Sequence, residues 1–261
     1  MNLNPTLLGA LIVVVMFLVM LLLLEFGRRL GEKRLQENPE AAKAGGGAVD
    51  SAVFGLMALL IAFTFSGAAT RFEVRRGLAT EEANDIGTAW LRLDLLPAAT
   101  QPPLREKFRS YVDARRAFFE KLPDVVSAMA ELDKAIALQA EIWRQSVAIC
   151  RDAGSVPATT LLLPALNQMI DITTTRSVAA RTHAPVIIYV MLLLLVLASS
   201  LLAGYGMANG KARNWFHACA FALVMSLAIY VILDFEFPRV GLIRLDAYDQ
   251  VLLDVRQNMQ P

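Results

Sequence analysis

Four long apolar segments constrain this chain more than any other feature of its sequence. They cover residues 7–24, 51–69, 185–208 and 215–233. A helix needs about 20 residues to cross a hydrocarbon core about 30 Å thick, and each segment is close to that length. The first resembles a secretion signal in its position, but no Lys or Arg precedes it and no small-residue cleavage pattern follows it. We therefore predict a membrane protein with four retained transmembrane helices.

The overall composition agrees with residence in a lipid bilayer. Apolar residues make up 56% of the 261-residue chain and charged residues only 19%, a balance that is unusual for a soluble domain. The formal net charge is +1, without the concentrated positive field that nucleic-acid binding requires. The lipid bilayer is therefore an expected partner, and nucleic acid is not.

The apolar segments divide the chain into four predicted parts. Residues 1–70 hold two transmembrane helices and their polar connection, and residues 71–183 form an extramembrane domain. The last two apolar segments form a tight hairpin within residues 184–233, because only the residues "NGKAR" join them. Residues 234–261 follow as a C-terminal segment.

The domain at residues 71–183 is predicted to be helical. From Asp124 onward its apolar residues recur at steps of three, four and seven, the spacing of one buried helix face. That face comprises Val125, Met129, Leu132, Ile136 and Trp143. Five prolines delimit the helices: Pro97, Pro102 and Pro103 are expected to end one helix, and Pro157 and Pro164 to interrupt or start another. About four helices are expected here, and the predicted fold class of the whole chain is all-α.

The sequence offers little of the chemistry that an enzyme needs. Its only two histidines, His183 and His217, lie near the starts of the third and fourth apolar segments and fit no catalytic or metal-ligand spacing. Its two cysteines, Cys150 and Cys219, are too few and too differently placed for a disulfide framework. We therefore predict that the protein is not an enzyme and holds no metal or cofactor.

An acidic cluster in "TEEANDIGTAWLRLD" is the strongest candidate for a metal site. It comprises Glu81, Glu82, Asp85 and Asp94. Thr80 directly precedes the first two carboxylates, however, and this order is typical of a helix N-terminus, where negative charge interacts favourably with the helix dipole. A helix start is therefore favoured over a metal site.

The second apolar segment carries two stripes of residues spaced four positions apart. One stripe consists of Gly55, Leu59, Phe63 and Gly67, and the adjacent stripe of Ala58, Ala62, Ser66 and Thr70. Small residues let membrane helices approach closely, so the second stripe is expected to pack on other helices. The stripe that contains Phe63 has two possible surroundings. It faces lipid or another helix, or it faces the axis of an oligomeric pore, where apolar side chains gate ions by dewetting.

Three arginines, Arg71, Arg75 and Arg76, follow these stripes. In the pore hypothesis they line one mouth of the channel and attract anions. In the alternative they bind lipid phosphate at the membrane surface. The two sides of the predicted membrane region carry equal numbers of Lys and Arg near the ends of the apolar segments. The positive-inside rule therefore does not orient the chain.

Two stretches resemble the bestrophin family. In "MALLIAFTFSGAATRFEVRR", a phenylalanine lies eight residues before an arginine that an aromatic residue follows, as in the second transmembrane helix of bestrophins. Phe63, Arg71 and Phe72 occupy these positions. "LDFEFPRVGLIRLD" is similar to the bestrophin segment in which acidic residues lead into a proline and a glycine-containing loop. The matching positions are Asp234, Glu236, Pro238 and Gly241.

The resemblance implies a homopentameric channel for small anions such as chloride, lined by its second transmembrane helix. It implies a hydrophobic neck at Phe63 and Leu59, with Gly55 or Leu56 one turn further out. It also implies a location in the bacterial inner membrane, with the domain at residues 71–183 in the cytoplasm. The acidic cluster that binds calcium in animal bestrophins is missing after Pro238, so calcium activation is not expected. The rival hypothesis is a membrane-anchored helical bundle that acts as a sensor or scaffold and conducts no ions.

Overall fold

Every regular element in the described part of the chain is a helix. The computed structural model describes residues 5–37, 47–122, 124–154, 156–209, 214–238 and 241–259. The α-helices are α1 (Pro5–Glu37), α2 (Gly47–Arg92), α3 (Gln101–Glu120), α4 (Val125–Ala153), α5 (Leu163–Arg181), α6 (Val186–Gly206), α7 (Trp215–Glu236) and α8 (Asp246–Asn258). Short 3-10 turns lie at Leu93–Leu95, Ala98–Thr100 and Met207–Asn209, and a π-helix at Ala158–Leu162. The predicted all-α fold class is confirmed.

Four helical stretches are long and apolar enough to cross a membrane. They lie within Gly9–Glu37, Gly47–Leu95, Ala158–Gly206 and Trp215–Glu236. Each stretch overlaps one of the apolar segments recognised in the sequence, which belong to α1, α2, α6 and α7. The four-pass prediction is confirmed, and the chain is an integral membrane protein.

The chain divides into two compact units. The first, which we call the membrane unit, comprises Met1–Phe72 and His183–Ile243. The second, the helical unit, comprises Glu73–Thr182 and Arg244–Pro261. Helix α2 contributes to both units because it continues from the apolar segment to Arg92. The C-terminal segment that was predicted as one part is therefore divided between the two units.

Helix α1 connects the other helices of the hairpin in the membrane unit, since both α6 and α7 pack against it. Two glycines allow the backbones of α1 and α6 to meet. A Cβ at Gly27 would overlap the carbonyl group of Leu201, and a Cβ at Gly204 would overlap that of Leu24. Helices α6 and α7 contact each other much less than they contact α1, so the predicted hairpin is held together chiefly through α1. The joining residues 210–213 lie outside the described part of the chain.

The helical unit is built from the second half of α2 together with α3, α4, α5 and α8. Helix α3 packs along α4, and α8 packs on α3. Its largest fully buried apolar side chains are Ile86, Leu93, Leu104, Phe108, Tyr111, Ile142, Leu162, Leu166 and Met169. The four helices expected between residues 71 and 183 are present, and α8 joins them from the C-terminal segment.

The buried face of α4 differs from the predicted one. Leu132 is buried as expected, but Val125 is 66% exposed and Ile136 is 49% exposed. The residues that face inward are Ala128, Leu132, Ala135, Gln139, Ile142, Ser146 and Cys150. Several of these are small or polar, which suits a close helix–helix contact but contributes little to a pattern of bulky apolar residues.

Prolines mark the helix boundaries in the helical unit. Pro102 and Pro103 lie at the start of α3, where the missing N–H would have no helical partner in any case. The prediction that they end a helix is therefore wrong, whereas Pro97 does follow one. The π-helix begins directly after Pro157, and Pro164 lies in the first turn of α5, as the sequence predicted.

Candidate pore-lining surface and its supporting contacts

One face of α2 carries an apolar ridge that the described part of the membrane unit leaves open. The ridge comprises Gly55, Leu56, Leu59 and Phe63, the four residues predicted for the neck. Leu56 is 45% exposed, Leu59 is 52% exposed and Phe63 is 67% exposed. An added Cβ at Gly55 would meet no atom within 4 Å. The structure thus brings the four residues together on one open surface, which we call the α2 ridge.

The opposite face of α2 holds the helix against the rest of the membrane unit. Met57, Thr64 and Ala68 are buried there. The Thr64 hydroxyl donates a hydrogen bond of 2.7 Å to a backbone carbonyl one turn earlier, so its burial leaves no unpaired polar group. Further along, Phe72 packs edge-on against Phe235 with ring centroids 5.4 Å apart. These contacts fix the rotation of α2 about its axis and so keep the ridge on the outside.

The stripe of small residues on α2 is exposed as well. It consists of Ala58, Ala62, Ser66 and Thr70. No helix of the same chain covers this stripe within the described residues, so its expected packing on other helices stays a prediction about neighbouring chains. The contacts inside the membrane unit are made by the opposite face, where Phe54, Leu60 and Ile61 pack beside the buried Met57 and Ala68. The stripe adjoins the α2 ridge, so a wide arc of the helix is available to another molecule.

The three arginines beyond the ridge have different environments. Arg75 is only 6% exposed, and it donates hydrogen bonds of 3.1 and 2.8 Å to the carbonyl oxygens of Ala179 and Thr182. These carbonyls lie at the C-terminal end of α5, where backbone acceptors lack helical partners. Arg75 thus binds the end of α5 within the single chain, and its expected place at a pore mouth stays a prediction. Arg76 is exposed and lies 3.3 Å from the carboxylate of Glu73.

Arg71 forms an ion pair with Glu236, whose side chain is fully buried. Its Nε donates to Glu236 Oε2 at 3.0 Å. The same carboxylate accepts a hydrogen bond of 3.4 Å from the backbone N–H of Ala184, and its Oε1 lies 2.9 Å from His183 Nδ1. This cluster joins α2 and α7 to the residues before α6. A buried carboxylate requires such partners, so Glu236 and Arg71 stabilise the packing of the helix that carries the ridge.

Asp234 shapes the turn that follows α7. Its Oδ2 accepts hydrogen bonds of 3.0 and 3.1 Å from the backbone N–H groups of Leu242 and Ile243. Gly241 lies so close that an added Cβ would overlap the Asp234 carboxylate. Pro238 is buried in the same turn. Asp234, Pro238 and Gly241, three of the four positions singled out in the sequence, thus shape one turn, whereas Glu236 pairs with Arg71.

The acidic cluster on α2 does not begin a helix. Thr80 lies well inside α2, so the predicted helix start is wrong. The fully buried Glu82 binds two arginines: Arg115 Nε donates to its Oε1 at 2.5 Å, and Arg176 Nη1 donates to its Oε2. Burial raises the pKa of Glu82, but the positive charges of the two arginines and their hydrogen bonds outweigh this effect, so its pKa lies below the usual range. Within the described residues, no three potential metal ligands come together.

A second buried network lies beside this one in the helical unit. The Tyr111 hydroxyl is 3.0 Å from Thr173 Oγ1. Gln139 Nε2 donates to both oxygens, at 3.1 Å to Tyr111 and 2.8 Å to Thr173. Burial, reinforced by the charge of Glu82, raises the pKa of Tyr111 to about 12. Because the three residues belong to α3, α4 and α5, the network fixes the register of three helices.

Solved structures of bacterial bestrophin homologues share this architecture. A variant from Klebsiella pneumoniae matches with a TM-score of 0.71 and 15% identity, covering 93% of this chain and 98% of that chain. A second variant from that organism gives a TM-score of 0.68 at 16% identity, covering 95% and 97%. A third structure gives 0.64 at 15% identity, covering 93% and 98%. The chain has a bestrophin-like fold. No protein-family model and no curated protein matches its sequence.

The α2 ridge can be recognised in the sequence, whereas the contacts that support the fold cannot. The ridge was visible because its residues recur every four positions within one apolar segment. The Glu82 network joins residues 33 and 94 positions apart, and no local pattern reveals such a pairing. The one available signal was that Glu82 lies at helical spacing on the same face as Ala79, Ile86 and Ala89.

Proposed function

We propose that several copies of the chain, five by resemblance to bestrophins, assemble around an axis lined by the α2 ridge and conduct small anions such as chloride. The exposed Phe63 carries this proposal. It is 67% exposed on a helix whose opposite face is buried, so the face that carries it is free to meet neighbouring copies of the chain. The bestrophin-like fold supports the same assembly.

The exposed stripe of small residues supports close contact between subunits. Ala58, Ala62 and Ser66 lie beside the ridge and are open in the single chain. Small residues at this spacing allow neighbouring helices to approach closely in a membrane. In the proposed assembly, each stripe packs against the adjacent subunit and the ridge faces the common axis.

The neck selects ions through the cost of dehydration rather than through fixed positive charge. Arg71 is paired with Glu236, Arg75 is buried, and Arg76 lies beside Glu73. The α2 ridge offers no side-chain hydrogen-bond donor to replace the water around an ion. The barrier to passage is therefore set by the free energy of removing water from the ion, which differs from one ion to another. Large, weakly hydrated anions are expected to pass more easily than chloride. Arg76→Gln is expected to change the flux less than substitutions in the ridge.

We place the protein in the bacterial inner membrane with the domain at residues 71–183 in the cytoplasm. Cys150 is buried and is therefore unsuitable as a labelling site. Ala148 is exposed on the same helix, so Ala148→Cys in a chain without Cys150 and Cys219 provides a suitable thiol. A membrane-impermeant maleimide is expected to label it in disrupted cells only. Labelling in intact cells would reverse the orientation.

Anion flux from liposomes tests the proposed function. Phe63→Ala and Leu59→Ala remove the bulk that narrows the neck, and each is expected to raise chloride efflux severalfold. Phe216→Ala provides a matched control, because Phe216 is 79% exposed on a different helix; its flux is expected to equal that of the parent protein. Efflux that is absent in the parent and in both ridge variants would favour the sensor or scaffold hypothesis.

A further inference from the structure

A histidine shares the buried carboxylate of the ion pair between Arg71 and Glu236. His183 Nδ1 lies 2.9 Å from Glu236 Oε1. Two nitrogens of Arg71 donate to the same carboxylate, and a carboxylate paired with a guanidinium in this way is ionised and only accepts hydrogen bonds. His183 Nδ1 therefore carries the hydrogen of this contact. In the neutral ring, Nε2 is then the basic nitrogen, where a further proton binds.

The partners of a protonated His183 are already in place. Imidazole is the side chain that changes its charge between about pH 5 and 8. Its cation would contact the ionised Glu236 on one side. On its face it would contact the ring of Phe237, which is stacked on His183 with centroids 4.7 Å apart. The side chain of His183 is 33% exposed, so water can deliver the proton.

The neighbouring charged and titratable groups keep their charge in this pH range. Arg71 on α2 and Tyr189 on α6 both interact with Glu236. Arg75 donates a hydrogen bond to the carbonyl oxygen of Thr182, the residue that precedes His183 in the chain. Arginine and tyrosine side chains do not change their charge near neutral pH, and Arg71 keeps Glu236 ionised. The charge of the cluster therefore changes through His183.

This cluster lies beside the end of the α2 ridge. An added Cβ at Gly67 would lie 3.3 Å from Arg71 Nη1, so the guanidinium extends back along α2 over Gly67. Gly67 follows Phe63 by one helical turn on the same stripe. The charges of Arg71 and Glu236 cancel while His183 is neutral, and protonation gives the cluster one net positive charge. Such a charge attracts an anion at the end of the ridge over a long range.

We propose that His183 is a proton sensor that raises anion flux in acid, because its protonation turns the neutral pair of Arg71 and Glu236 into a cationic cluster beside the α2 ridge. Since the sensor acts on flux through the same pore, this role rests on the proposed function. At higher pH, the cost of dehydration alone sets the barrier at the neck. In acid, one added charge in each subunit raises the local concentration of anions near the common axis.

Chloride efflux from liposomes with equal internal and external pH tests the proposed sensor. Efflux through the parent protein is expected to rise severalfold as the pH falls from about 8 to about 5.5. His183→Asn retains an N–H donor for Glu236 but does not titrate, so a flat pH profile is expected. His183→Lys carries a permanent charge and is expected to give, at the higher pH, the efflux that the parent gives in acid. His217→Asn is the matched control: His217 is the only other histidine in the chain and is exposed, and this variant should retain the parent's profile.

Proton binding is measured separately by NMR of the full-length protein in detergent. Histidine is labelled with ¹³C, and the two signals are assigned by comparison with His217→Asn. The His183 signal is expected to titrate between about pH 5 and 8. A His183 signal that does not titrate there, or a parent efflux profile that is flat or is kept by His183→Asn, would overturn the sensor while leaving the pore in place. Efflux that is absent from the parent at every pH would overturn the proposed function and the sensor with it.

Discussion

The buried Glu82 network allows a quantitative test of what holds the helical unit together. Glu82→Gln keeps the shape of the side chain but removes its charge. The side chains of Glu82 and Arg115 are 0% exposed and that of Arg176 is 7% exposed, so water cannot replace the lost partner. Removing one partner from a buried ion pair typically costs about 3–5 kcal/mol. For a unit of this size, that loss lowers the melting temperature by about 10–20 °C.

Glu81→Gln is the matched control, since Glu81 is adjacent and exposed. Its effect on the free energy of unfolding is expected to stay within about 0.5 kcal/mol. Thermal unfolding of the full-length protein in detergent, followed by tryptophan fluorescence, reports on the right region because Trp90 and Trp143 both pack in the helical unit. Equal melting temperatures for the two variants would refute the reasoning.

The difference in melting temperature between the parent and Glu82→Gln should depend on pH, because the pKa of Glu82 is lowered in the folded protein. A carboxyl group whose pKa is lower in the folded state stabilises the protein above its unfolded pKa, which is about 4.3 for glutamate. This stabilisation is lost as the pH falls through the folded pKa. The difference in melting temperature between the parent and Glu82→Gln is therefore expected to be full at pH 7 and smaller at pH 4. A difference that grows on acidification would contradict the direction of the shift.

Three further substitutions test other parts of the structure by the same melting assay. Gly204→Ala would force a Cβ into the backbone of α1 and is expected to reduce the free energy of unfolding by about 1–3 kcal/mol. Gly206→Ala is the control, because its Cβ meets open space, and it should be neutral. Equal losses for the two variants would refute the close contact. Tyr111→Phe removes one hydroxyl from a buried network but leaves Gln139 bonded to Thr173. The free energy of unfolding is therefore expected to fall by about 1 kcal/mol, and no change would show that the hydroxyl is dispensable. Arg71→Gln leaves Glu236 buried without its main partner and should destabilise the protein strongly. The double variant Arg71→Gln with Glu236→Gln should recover part of that stability. If the free-energy changes of the two single variants simply add in the double variant, the two side chains are not coupled.

Properties that depend on neighbouring positions along one helix could be predicted from the sequence. Length and hydropathy were sufficient for the four spans, since a bilayer imposes both on any helix that crosses it. The α2 ridge was predicted because Gly55, Leu59 and Phe63 share a face through the helical repeat. Which faces of α2 are buried within one chain was not predictable, because that choice depends on where α1, α6 and α7 lie.

Buried polar pairs were the main features that the sequence did not reveal. Thr80 and Glu82 have the local pattern of a helix start, yet the helix continues through them because Glu82 is paired with Arg115 and Arg176 from other helices. Likewise, Arg75 has the appearance of a surface cation, but it satisfies carbonyl groups at the end of α5. In each case the decisive partner is distant in sequence, and only the folded chain brings it near.

Chemical modification at the centre of the ridge tests most directly whether it faces water in a conducting pore. Phe63→Cys in a chain without Cys150 and Cys219 is reconstituted into liposomes and treated with a charged methanethiosulfonate reagent while chloride efflux is recorded. Leu22→Cys, at a position 70% exposed on α1, is the control for a surface in contact with lipid. We expect the reagent to modify the cysteine at position 63 and block efflux, and to leave the control unchanged. An unreactive cysteine at position 63, or efflux that continues after its modification, would contradict the proposed pore.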